Sequence, residues 1–136
     1  MNGSYMKKVS LLLAEDNADM RSLLKWLLEN EGFDVTTAED GAVALEFLSQ
    51  LHPDLILTDL MMPEVDGVEL IKSIRSNREF ASTPIVAMTA YGSGYISLAS
   101  EAGATASIRK PEDLDNLVTT INRLLENETS DTLVVK

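Results

Sequence analysis

Four polar groups follow apolar runs in this chain, and their types suit the handling of a phosphoryl group. Glu15-Asp16 follow the run Val9–Ala14, and Asp59 follows Asp54–Thr58. Thr89-Ala90 follow Ile85–Met88, and Lys110-Pro111 follow Ala106–Ile108. If the first and third runs are neighbouring strands, the carboxylates of Glu15, Asp16 and Asp59 converge and repel one another in a partly desolvated cleft. A hard divalent cation resolves that conflict, and Mg²⁺ prefers oxygen ligands. No His or Cys stands near them to suggest a softer metal. A carboxylate can attack phosphorus and form an acyl phosphate. A metal screens the approach of nucleophile to phosphoryl group, and a lysine and a threonine hydroxyl can hold further phosphoryl oxygens. Asp59, Lys110 and Thr89 supply those parts.

The elements that must position these groups are legible as an alternation. Five short apolar runs, the four above and Phe33–Thr37, read as strands. The first, third and fourth are nearly continuous in apolar character, as expected of strands buried on both faces of a parallel sheet. The second and fifth are weaker and are expected nearer the sheet edges. Between them lie helical stripes: Met20, Leu23, Leu24, Leu27 and Leu28; Ala42, Leu45 and Leu48; Val68, Ile71 and Ile74; and Leu114, Leu117, Val118, Ile121, Leu124 and Leu125. The segment Gly92–Glu101 is the weakest, because Gly92 and Gly94 lower helix propensity. Ten elements alternating from strand to helix predict an open α/β fold with right-handed crossovers. Ligands in such folds bind beyond the carboxyl ends of the strands, where the strand order reverses. Those are the positions the polar groups occupy.

Composition narrows the function classes. The 136 residues fit one domain, expected at 7–126, with an N-terminal extension at 1–6 and a flexible tail at 127–136. A net charge of −11, without clustered Lys and Arg, argues against binding nucleic acid and favours basic partner surfaces. No apolar run approaches the roughly 20 residues of a membrane span, and no signal-peptide segment opens the chain. With no cysteine, disulfides and thiolate metal sites are excluded, and a cytoplasmic location is the default expectation.

Taken together, Leu-Leu-Leu-Ala-Glu15-Asp16-Asn, Leu-Ile-Leu-Thr-Asp59-Leu-Met-Met-Pro63-Glu-Val-Asp-Gly67, Ala-Met-Thr89-Ala90 and Lys110-Pro111 resemble the receiver domain of two-component response regulators. The resemblance covers residues 7 to 126. It implies a flavodoxin-like (βα)5 fold with a five-stranded parallel sheet in the order 2-1-3-4-5. It implies that Asp59 accepts a phosphoryl group from a phosphohistidine on a sensor histidine kinase or histidine phosphotransfer protein. It also implies that Asp16, Asp59 and the backbone carbonyl of Met61 bind Mg²⁺, with Glu15 acting partly through water. Thr89 and Lys110 match the phosphate-sensing pair, and the Lys110-Pro111 bond resembles one usually cis. The protein is then a signalling switch rather than a turnover enzyme, and a monomer or weak homodimer. With no effector domain expected in the short tail, output is expected through protein contacts, with Gly92–Glu101 and the last helix as the output face.

Taken singly, each residue has a plainer reading. Glu15-Asp16 could cap the first helix, Asp59 a turn, Thr89 an ordinary strand position, and Pro111 the first residue of a helix. Their coincidence at four strand ends outweighs this. A haloacid-dehalogenase-like phosphatase would carry a second Asp two residues after the nucleophile, where Met61 stands. A pseudo-receiver that binds partners without phosphate would lack acceptor, acid or lysine, and all are present. A flavodoxin-like cofactor carrier would need a Ser/Thr/Gly-rich loop after the first strand. Ser107 departs from the resemblance, since an aromatic residue is common three positions before the lysine. Tyr91 or Tyr95 is the expected substitute. Neither Met61 nor Tyr91 can orient an attacking water, so slow loss of phosphate is expected. His52 is expected as a solvated loop residue, Trp26 as partly buried and Gly67 as a turn residue.

Overall fold

The computed structural model describes residues 8–90, 93–110 and 113–134. The expected N-terminal extension, Tyr91, Gly92 and Pro111, and with them the Lys110-Pro111 bond, lie outside the described residues. The order of elements is β1 (Ser10–Ala14), α1 (Ala18–Asn30), β2 (Asp34–Ala38), α2 (Gly41–Leu48), β3 (Leu55–Asp59), α3 (Gly67–Arg75), β4 (Ile85–Thr89), α4 (Ser93–Ala102), β5 (Ala106–Arg109) and α5 (Leu117–Val134). Single 3-10 turns sit at Arg78–Phe80 and Leu114–Asn116. The backbone of α5 is therefore helical across most of the segment expected as a tail.

All strand pairs are parallel, in the order β2-β1-β3-β4-β5. The two weaker runs form the edges, as expected. Side chains alternate across each central strand, and both sets are apolar. Leu12, Ile56 and Ala87 pack on Ala44, Leu48, Leu70, Ile71, Ile74 and Ala99 of α2, α3 and α4. Leu11, Leu13, Leu55, Leu57, Val86 and Met88 pack on Leu24 and Leu28 of α1 and Leu117 and Ile121 of α5. A strand covered on both faces has no solvated side, which is why these runs read as continuous rather than alternating.

Three helices begin at side-chain caps. Asn17, Asp40 and Asp66 accept from the backbone N–H of Met20, Val43 and Glu69 at 2.8, 2.9 and 2.9 Å. Such a cap satisfies one of the four orphan donors of a helix start. Glu15 and Asp16 are therefore not the cap of α1, and the capping reading of them falls away. β3 and β4 also run one residue further than the apolar runs, so Asp59 and Thr89 are the last residues of their strands. The weakest segment does form a helix, α4, with Gly94 inside it.

Candidate functional site

The strand order reverses between β1 and β3, which pair side by side with Ala14 opposite Thr58. Glu15 and Asp16 leave β1 at the level where Asp59 ends β3. The backbone N–H of Glu15 still donates to Ala38 O of β2 at 3.0 Å, so the chain turns only after Glu15 is fixed to the sheet. Glu15, Asp16 and Asp59 each place a carboxylate oxygen within 4.8 Å of the others. They line one cleft of about 570 Å³ with Asn17, Asp19, Met20, Leu23, Met61, Ala90 and Lys110.

Burial divides the three acids. Glu15 and Asp59 are buried and Asp16 is exposed at the mouth. Lys110, beyond the end of β5, reaches back across the sheet end. Its Nζ lies 2.9 Å from Glu15 Oε1 and 3.4 Å from Asp59 Oδ2. Its backbone N–H donates to Thr89 O at 2.8 Å, which fixes the reach of the side chain. The remaining oxygen of Glu15, Oε2, accepts from the backbone N–H of Asn17 at 3.2 Å. Asp59 Oδ1 accepts from the backbone N–H of Met61 at 3.4 Å, a long contact.

Three carboxylates face one lysine, and the pKa shifts reflect the imbalance. Burial pushes the Glu15 carboxyl above its ordinary range; the lysine hydrogen bond opposes this and the Asp59 charge adds to it. The folded chain therefore holds the Glu15 proton more tightly than the unfolded chain does. Stability from this group is present below the ordinary carboxyl range and declines as pH rises through the raised value. For Lys110, burial alone would push the pKa down, but the hydrogen bond to Glu15 and the two carboxylate charges outweigh it and the net shift is upward. At neutral pH Lys110 stays charged, one cation beside a cluster of three carboxyl groups. The donor set is all hard oxygen and open to solvent on one side, which fits a Mg²⁺-sized cation.

Most of the sequence-predicted residues are thus brought together. Glu15, Asp16, Asp59 and Lys110 share the cleft, with the Met61 side chain at its rim. Thr89 is fully buried at the end of β4, one residue past Met88, the register partner of Asp59. Tyr95 is half-buried and packs against the core on the α2–α3–α4 face. Ser107 is half-buried in β5 opposite Ala87.

The sequence and fold have relatives among known proteins. Residues 11–122 match the model of the response regulator receiver domain. The chain belongs to the receiver family. Its receiver is 40% identical over 116 residues to the transcriptional regulatory protein CpxR of Escherichia coli, covering 85% of this chain but 48% of CpxR. It is 32% identical over 117 residues to the polar-differentiation response regulator DivK of Brucella ovis, covering 85% of this chain and 95% of DivK. Among solved structures, the chemotaxis response regulator CheY4 of Vibrio cholerae superposes with a TM-score of 0.81 at 28% identity, over 87% of this chain and 99% of that one. The chain thus spans about half the length of CpxR and nearly all of DivK.

Sequence reasoning missed three contributors to the receiver cleft. Gly67 was expected in a turn, yet it opens α3 where a Cβ would overlap the Asp59 carbonyl oxygen and the Leu60 Cα. Its backbone N–H donates to Leu60 O at 3.1 Å, so α3 starts in direct contact with the end of β3. The motif position was visible; the close approach was not. Asn17 caps α1 with its side chain and holds Glu15 Oε2 with its backbone N–H, and neither role was read from the sequence. Arg21 donates from Nη1 to the backbone oxygens of Glu15 and Asp16 at 2.9 and 3.4 Å. Nothing in its sequence position pointed to that.

Proposed function

We propose that this receiver is a phosphorylation switch in a two-component phosphorelay, with Asp59 as the acceptor. The convergence of three carboxylates and Lys110 at the carboxyl ends of β1, β3 and β5 carries this reading. A carboxylate oxygen of Asp59 forms a bond to phosphorus as the P–N bond of a phosphohistidine breaks. The product is an acyl phosphate, and the departing imidazole keeps its electron pair and takes up a proton. Asp16, Asp59 and the Met61 carbonyl would hold Mg²⁺, with Glu15 contributing partly through water. When bound, the ion neutralises charge on the transferring group. Lys110 exchanges its carboxylate contacts for a phosphoryl oxygen, and the Thr89 hydroxyl takes another.

The donor is a sensor histidine kinase or a histidine phosphotransfer protein, and the switch works in the cytoplasm through contacts with a protein target. The domain spans 7–126. It catalyses its own phosphorylation and dephosphorylation and turns over no other substrate. Met61 offers no group to orient water, so the acyl phosphate is lost slowly.

Incubation with Mg²⁺ and a small-molecule phosphodonor, followed by intact mass measurement over time, tests this. A lasting one-phosphoryl adduct that requires both Asp59 and the metal is expected, and Asp59→Asn gives none. No adduct in the wild type, and no amide shifts with beryllofluoride, would leave a phosphate-independent binding module as the better reading.

A further inference from the structure

We propose that Arg21 is a positioning residue for the metal-binding acids, acting through the backbone of the β1–α1 loop. The inference rests on the reading of the cleft given above. Two observations carry it. The first is geometric: the Arg21 guanidinium bonds the Glu15 carbonyl at 2.9 Å and reaches the Asp16 carbonyl at 3.4 Å. These two residues supply two of the three converging carboxylates. Fixing their carbonyls on the α1 side leaves the carboxylates aimed at Asp59.

The second is electrostatic. Arg21 sits at the end of the first turn of α1, where its own N–H donates to Asn17 O at 2.8 Å. A cation near a helix N-terminus works against the helix dipole, and acids such as Asp19 are the favoured residues there. A charge-assisted bond to a half-buried carbonyl offsets that cost, being stronger than a neutral one. Asn17 completes the arrangement by capping α1 with its side chain and holding Glu15 Oε2 with its backbone N–H. The loop from Glu15 to Asn17 is thus tied to α1 by Asn17, which lines the cleft, and by Arg21, which lies outside its lining.

Charge and geometry predict opposite signs for this residue, which makes the proposal testable. Arg21→Ala removes a positive charge near a cation site. If charge alone mattered, Mg²⁺ would bind more tightly. If Arg21 aims the acids, Mg²⁺ binds more weakly, by roughly tenfold, the low end of what lost supporting contacts cost a metal site. Arg21→Lys keeps the charge but not the planar fork, and is expected to fall between the two. Mg²⁺ affinity is read by calorimetry on the full chain. Urea unfolding without metal, and amide shifts of Glu15 and Asp16 in the metal-free state, are recorded on the same samples. Weakened binding with displaced Glu15 and Asp16 amides, partly restored by lysine, supports the proposal. Affinity equal to or tighter than wild type in both variants overturns it, even if stability falls, because the residue would then be only structural. If the wild type itself binds no Mg²⁺, the reading of the cleft fails and the proposal fails with it. That outcome is distinct from wild-type binding that Arg21→Ala leaves unchanged.

Discussion

At the amino ends of β4 and β5 the guanidinium of Arg75 is ringed by neutral acceptors, whereas at the carboxyl ends of β1 and β3 three carboxylates face one lysine. Arg75 Nε donates to Gly103 O at 2.9 Å, and Nη1 donates to Phe80 O at 2.8 Å and Thr83 O at 2.8 Å. A longer bond runs to Ala81 O, and Nη2 reaches Thr105 Oγ1 at 3.2 Å. One side chain thus ties the end of α3, the 3-10 turn and the α4–β5 loop together. Burial pushes its pKa below the ordinary value, yet a guanidinium remains charged across the working range. Among the described residues no carboxylate pairs with it. Here the charge goes into satisfying carbonyls, and the result is a staple. At the other end acids outnumber the one lysine that pairs with them, and the result is a cluster that could hold a metal ion. Polar groups in one small fold can therefore serve stability or function, depending on whether their partners are already present.

The largest expected effect lies at the stapled end. Arg75→Ala leaves several carbonyls of the α3–β4 and α4–β5 connections without their donor. A loss of about 3 kcal/mol in unfolding free energy is expected, since bonds from charged donors are worth more than neutral ones and unpaired acceptors add a penalty. Mg²⁺ affinity should stay close to wild type, because no Arg75 contact reaches the cleft. Urea unfolding and calorimetry on one preparation check both halves. A stability loss under about 1 kcal/mol, or an equal loss of Mg²⁺ affinity, would break the contrast between the two ends.

The opposite sign is expected at the cleft. Asp16 is exposed and its carboxylate has no cation partner among the described residues, so in metal-free protein it contributes mainly repulsion to Glu15 and Asp59. Asp16→Asn should raise metal-free stability by about 1 kcal/mol, a modest figure because solvent screens an exposed charge. The same change should weaken Mg²⁺ binding, and added Mg²⁺ should stabilise the wild type more than the variant. Thermal unfolding with and without Mg²⁺ measures this. If the variant is less stable without metal, the carboxylates are not in conflict and the site is better balanced than its charges suggest.

The cleft end of this contrast is legible in the amino-acid sequence and the stapled end is not, for physical reasons. The central strands are read from runs such as Leu11–Ala14 and Leu55–Leu57 because burial on both faces leaves no polar position. The acids and Lys110 are read because a parallel α/β sheet delivers strand ends to one edge. The extra residue of β3 and β4 escapes such a reading because backbone pairing, as in Asp59 with Met88, is not written in side-chain polarity. Trp26 was expected to be partly buried but is 64% exposed. Only Leu24 and Leu28 of α1 are fully buried, so the stripe that meets the sheet is narrower than its five apolar positions imply. His52 is exposed as expected, yet its Nε2 lies 2.7 Å from Glu79 Oε2. The roles of Arg21, Arg75 and Gly67 are hidden for a shared reason. Their partners, Thr105 Oγ1 apart, are backbone atoms, and backbone atoms leave no trace in residue identity.

The smallest expected effect tests whether the cleft end also stores backbone strain. Glu64 lies in the loop between Asp59 and α3 with φ of 65°, the left-handed region. That conformation costs a residue with a Cβ about 1–2 kcal/mol. Glycine removes the cost but loses roughly 0.5–1 kcal/mol through the freedom of the unfolded chain. Glu64→Gly should therefore stabilise the protein by about 0.5 kcal/mol, the difference of the two. The side chain is exposed, so lost packing should not obscure the result. Mg²⁺ affinity then decides what the strain is for. Unchanged affinity means that the loop only bridges Met61 to Gly67 at some cost. Weakened affinity, measured alongside the gain in stability, means that the constrained φ helps hold the Met61 backbone where the metal site needs it, and the two ends of the sheet then differ in backbone strain as well as in charge.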